Sequence, residues 1–220
     1  MIYRTGGLRF PRPSCSLCRC IEFLLIFEPA DKLMTRTLIF DRMEECTEAE
    51  VQRLMPLVPQ QRAEQARRYR FTFGRYACLK SYLMLAELTG MNDMTFSFGN
   101  HGKPFLASRP DIHFSISHCR NAIAVAVSDM PVGIDVESLR QADSALLRRT
   151  MNDDELAAIS ASDNPVLEFT CLWTRKEAVL KLRGTGITDE LQDVLSGPEQ
   201  VKTCICEGYV WSLANQPIKV

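Results

Sequence analysis

Apolar and polar residues alternate over Val132-Gly133-Ile134-Asp135-Val136-Glu137, which predicts a strand with both carboxylates on one face. Residues 122–127 form a continuous apolar run, as expected of a strand buried on both faces. Asp129-Met130-Pro131 then predicts a turn that makes these two strands a hairpin. Further strands are expected at 38–40, 95–98, 103–106 and 112–117, with a second hairpin of 201–206 and 209–213 around Glu207-Gly208. Helical spacing covers 45–57, where Thr47 is a cap followed by Glu50, and most of 60–88, with a break near 71–74 and a stop at Gly90. Asn152 and Glu155 open a helix to about residue 161. Pro165 starts a long one that carries Trp173, Glu177 and Lys181 and stops at Gly184. Helices and antiparallel strands in segregated runs predict an α+β fold.

The long helix carries a problem for the fold. Glu177 falls on the same side as Val166, Phe169, Trp173 and Leu180, where an ionised carboxylate is costly without a partner. A divalent cation shared with Asp135 and Glu137 would supply one, and an all-oxygen set suits magnesium. The bland alternatives are a polar strand edge for Asp135 and Glu137, and a surface ion pair of Glu177 with Lys181.

The chain has 220 residues, a formal net charge of −1 and nine cysteines. That length can bury a substantial core, and the near-zero charge demands neither nucleic acid nor membrane. Basic residues crowd 62–80 while acidic ones gather at 153–155 and 189–193, a distribution that suits a phosphorylated ligand bridged by a metal. An odd, unpaired set of cysteines favours a reducing compartment, and no stretch approaches a membrane span, so a cytoplasmic protein is expected. Cys15, Cys18 and Cys20 lack a nearby fourth ligand, so a metal is not expected there. Residues 1–33 show no period and read as an appendage, an upstream in-frame start rather than native coding sequence, with a docked extension as the alternative.

Four segments together resemble the 4′-phosphopantetheinyl transferases, specifically the Sfp-like group: Gly102-Lys103-Pro104, Phe114-Ser115-Ile116-Ser117-His118, Gly133 to Glu137, and Trp173 to Lys181 with Gly184-Thr185-Gly186. They occur in the family's order, and the resemblance runs from about Thr35 to the C-terminus. It implies two similar α+β halves related by a pseudo-twofold axis, 34–129 and 130–220, with coenzyme A in the cleft between them. It also implies a monomer, since one chain then makes the whole site. The implied reaction moves 4′-phosphopantetheine from coenzyme A to a serine of an apo acyl or peptidyl carrier protein and releases 3′,5′-adenosine bisphosphate.

By the same resemblance Asp135, Glu137 and Glu177 hold Mg2+, and Glu177 is the general base. Lys181 bonds the α-phosphate, His118 and Ser117 meet the coenzyme phosphates, and Lys103 lies at the nucleotide. Arg62 is expected at the 3′-phosphate, although Gln61 or Gln65 occupies a position that is basic in relatives. Ser115 and Cys119 stand where the family often has Asn and Ser. Two readings from other classes stay open on the residues alone. One is a magnesium nuclease built on the Asp135/Glu137 pair; the other is a metal-free carrier-protein or RNA-binding module using the arginine cluster.

Overall fold

A computed structural model describes residues 35–186 and 191–217; the expectations for 1–33 and for Cys15, Cys18 and Cys20 lie outside the described residues. Among the described residues the first element is β1 (Arg36–Phe40), followed by α1 (Glu48–Leu54), α2 (Gln60–Arg67) and the long α3 (Thr72–Thr89). A small hairpin follows, β2 (Phe96–Phe98) and β3 (Pro104–Leu106), and then β4 (His113–His118) and β5 (Ile123–Ser128). β6 (Val132–Ser138) leads to α4 (Ser144–Thr150), α5 (Asp153–Ala161), the long α6 (Pro165–Arg183), β7 (Gln200–Cys206) and β8 (Tyr209–Asn215).

Local chemistry explains most boundaries. The Thr47 hydroxyl accepts from the Glu50 amide. Asn152 and Glu155 form a complete capping box. Asn164 caps α6 with Pro165 in its first turn. Both long helices end at a glycine with φ of +71°, Gly90 and Gly184, a left-handed cap that a Cβ would oppose.

Two three-stranded antiparallel sheets have orders β1-β5-β4 and β6-β8-β7. In each, the first strand pairs with the last, and the last is central. β5 shows why the sheets stack. Ile123, Val125 and Val127 pack on the core of α3, while Ala122, Ala124 and Ala126 meet Val132, Ile134, Val136, Trp211 and Leu213. The alanines let the second sheet approach closely.

Two expectations need correction, and one helix is additional. β5 and β6 do not form a hairpin: both edges of β5 are taken by β1 and β4, so β6 ladders with β8 instead. The break before α3 falls at 68–71, and Gly74 is already helical, leaving space for the Tyr69 ring. The short α4, capped by Asp143, was not anticipated.

The opposite face of β6 carries Gly133, Asp135 and Glu137 and lies against α6. A Cβ on Gly133 would stand 1.9 Å from the Ala178 carbonyl oxygen and 2.4 Å from the Leu182 nitrogen. Both are backbone atoms, so α6 would have to move. Gly133→Ala is therefore expected to lower stability by about 1–3 kcal/mol or more, read from urea denaturation.

Candidate functional site

Because Gly133 lets α6 close on β6, the Lys181 side chain reaches Asp135. The Asp135 carboxylate is buried. Its Oδ1 accepts from the Ser117 hydroxyl at 2.8 Å and from the Lys181 ammonium at 2.7 Å. Lys181 also donates to Ser117 Oγ at 2.8 Å, which closes a triangle. Asp135 Oδ2 is buried with no hydrogen-bond partner among the described residues.

Glu137 and Glu177 are each half-buried and electrostatically coupled to Asp135. Burial first, then the Asp135 charge, pushes both carboxyls above the usual range, while Lys181 and Arg140 pull them back. The Trp173 side chain also acts to lower the Glu137 pKa. An orphaned buried carboxylate oxygen beside two carboxyls that resist ionisation is an oxygen-donor set short of positive charge. It fits a divalent cation. Among the described residues, however, no three His, Cys, Asp or Glu side chains stand as a ready metal cage; the Lys181 ammonium is the group in place at Asp135.

These shifts fix a sign. A carboxyl raised on folding contributes stability that is present below its unfolded pKa, about 4.3 for Glu, and is lost as pH rises through the folded value. With a chelator present, the protein is thus expected to lose stability with rising pH across that interval, and Glu177→Gln to lose less. Urea midpoints at mildly acidic and neutral pH check this.

The remaining expected residues fall in different places. His118 ends β4 with its ring edge-on to Phe73, centroids 5.5 Å apart; burial and then the Lys181 charge lower its pKa. Lys103 is neither in open solvent nor free to swing. Its ammonium donates to the carbonyls of Val132, Lys181 and Leu182 at 3.1, 2.5 and 3.3 Å. Burial holds its pKa down to about 8, and three carbonyls, two at the negative end of α6, keep its three N–H groups satisfied. Lys103 still lines a cavity of about 250 Å³ with His101, Ser115, Ile116, Glu177 and Lys181.

Arg62 lines a separate cleft with Gln61, Gln65 and Arg68. Its guanidinium donates to the Cys78 carbonyl, Gln65 and Ser81 and packs over Tyr82 and Phe96. The structure therefore brings Ser117, Asp135 and Lys181 into direct contact, sets Glu137 and Glu177 beside them, and leaves Arg62 apart.

Two contributors escaped sequence reasoning. Arg140 acts on both glutamates, and its position three residues past Glu137 was the available sign. Lys176 has no exposed surface; it pairs with Glu155 at 2.7 Å and donates to the carbonyls of Leu191 and Gln192. Only its adjacency to Glu177, about 100° round the helix, hinted that it faces elsewhere.

The family model of the 4′-phosphopantetheinyl transferase superfamily matches residues 131–213, which hold β6, α6 and their carboxylates. The chain is 27% identical over 186 residues to 4′-phosphopantetheinyl transferase psf-1 of Bacillus pumilus, covering 76% of this chain and 80% of that protein. It is 25% identical over 150 residues to 4′-phosphopantetheinyl transferase Sfp of Bacillus subtilis (strain 168), covering 64% and 67%. Against 4′-phosphopantetheinyl transferase gsp of Aneurinibacillus migulanus it is 30% identical over 139 residues, covering 62% and 57%. With the motifs in the same order and the carboxylates gathered on β6 and α6, the chain is similar to the 4′-phosphopantetheinyl transferases over most of its length and matches their superfamily model over residues 131–213.

Proposed function

We propose that the protein transfers 4′-phosphopantetheine from coenzyme A to a serine of an apo carrier protein and releases 3′,5′-adenosine bisphosphate. The observation that carries this reading is the unpartnered, buried Asp135 Oδ2 beside two carboxyls raised in pKa. Asp135, Glu137 and Glu177 would hold Mg2+, which when bound supplies Lewis-acid neutralisation of the pyrophosphate.

The chain's own groups do the rest. Glu177 takes the proton of the attacking serine hydroxyl as the general base. The serine oxygen bonds to the phosphorus that carries pantetheine, and the bond from that phosphorus to the bridging oxygen breaks. Lys181 neutralises the charge that develops on the leaving phosphate. Ser117 and His118, at the end of β4, bind the coenzyme phosphates. Lys103 positions α6 and borders the cavity that receives the ligand. Arg62, bonded within its own half, stiffens the separate cleft and reaches the 3′-phosphate only if it leaves those partners.

The halves 34–129 and 130–220 both border the cavity, so the enzyme works as a monomer. A cytoplasmic location agrees with the cysteine content, and no helix of the described residues is long and apolar enough to cross a membrane. The test is incubation with coenzyme A, Mg2+ and apo carriers of fatty-acid, polyketide and nonribosomal-peptide type, followed by intact mass. A gain of one phosphopantetheine on the carrier serine is expected. No gain on any carrier would remove the proposal.

A further inference from the structure

Lys181 occupies an unusual position for a residue assigned to a phosphate. Its ammonium bonds Asp135 Oδ1 and Ser117 Oγ, and Ser117 in turn donates to the same carboxylate oxygen. The carboxylate thus already has a cation on one oxygen, while its other oxygen is bare. A divalent ion held by Asp135, Glu137 and Glu177 would stand next to that ammonium, and two cations at one carboxylate repel strongly where water is scarce. Three carboxylates facing Lys181 and Arg140 leave a single net negative charge, too little to welcome a divalent ion with both basic groups in place. Lys181 is also free to move at its tip alone. Its backbone carbonyl is fixed by Lys103, but its side chain is about 29% exposed and borders the cavity.

We propose that Lys181 gates the cation site, as the counter-ion of Asp135 that must be drawn off before a divalent ion can bind. What draws it off is the phosphate of the coenzyme entering the adjoining cavity. Cation and coenzyme therefore bind with positive coupling, and by linkage each tightens the other to the same degree. The cation alone binds weakly. Premature loading of metal without coenzyme is suppressed by a group that later serves in the reaction. The proposal rests on the cation-site reading above.

The test is Mn2+ binding followed by the electron paramagnetic resonance signal of the free ion, with the full-length protein. For the native chain, coenzyme A is expected to tighten Mn2+ by about tenfold or more. Lys181→Gln is expected to bind Mn2+ alone about tenfold more tightly than the native chain and to gain less from coenzyme A than the native chain does. Ser117→Ala removes one acceptor of the ammonium and one donor to Asp135 Oδ1 while leaving all three carboxylates in place. It should shift in the same direction by a smaller factor, and it decides the matter if Lys181→Gln fails to fold. If both variants bind Mn2+ alone as the native chain does, and coenzyme A still tightens all three, the gate is overturned while the cation site stands. If no protein binds Mn2+ with or without coenzyme A, the cation site itself falls, and the gate with it.

Discussion

Glu177→Gln is expected to slow phosphopantetheine transfer by about 10²–10⁴-fold while leaving the protein folded. The amide keeps the volume of the side chain beside Leu180 and Trp173 but accepts no proton and brings no charge. Burial and the Asp135 charge already disfavour ionisation at this position, so the metal-free variant should be no less stable than the native chain. A group that strains the fold when ionised, yet is needed for rate, is expected at a working site rather than in a structural ion pair. Initial rates of carrier mass gain at saturating Mg2+ and coenzyme A decide it. A variant with near-native rates would make Glu177 structural.

Lys176→Met should destabilise the protein by about 3–5 kcal/mol. The ammonium is fully buried, bonds two carbonyls that follow α6 and pairs with Glu155 at 2.7 Å. Methionine fills the space but leaves Glu155 facing an apolar side chain and takes the lysine donor from the Leu191 and Gln192 carbonyls, the second of which keeps Asn152 Nδ2 at 3.3 Å. Glu155 also receives the Asn152 amide, so the start of α5 loosens as well. Chemical denaturation measures the loss, and a double change with Glu155→Gln should recover part of it. A Lys176→Met protein as stable as the native chain would show that the pair contributes nothing net.

The carboxylate face of β6 and the boundaries of α6 were legible because each rests on local chemistry: a period of two, a proline start, a glycine stop. The resemblance added which residues belong together across the chain. What was not legible was long-range pairing. Nothing local to residues 122–136 tells that β1 and β4 claim both edges of β5, so the turn at 129–131 read as a hairpin. The same blindness hid the partners of the lysines. Lys103 looked exposed or ligand-facing, yet it caps a helix almost eighty residues downstream. Nothing local to Lys176 marks it as a buried lysine paired with Glu155. Arg62 fitted a phosphate on paper, but the backbone carbonyl of Cys78 holds it.

The way β6 runs beside β4 has a mechanical consequence. The two strands share no ladder, yet the Ile134 amide is met by the Ser115 hydroxyl at 3.0 Å and the Val132 carbonyl by Lys103. Prising the sheets apart would strand these groups at about 1–3 kcal/mol each, on top of the alanine-lined apolar contact. The frame therefore behaves as a jaw of fixed gape rather than a hinge. The β6–α6 unit is thereby tied to the first sheet beneath the cavity that His101 and Gly102 border from the other side.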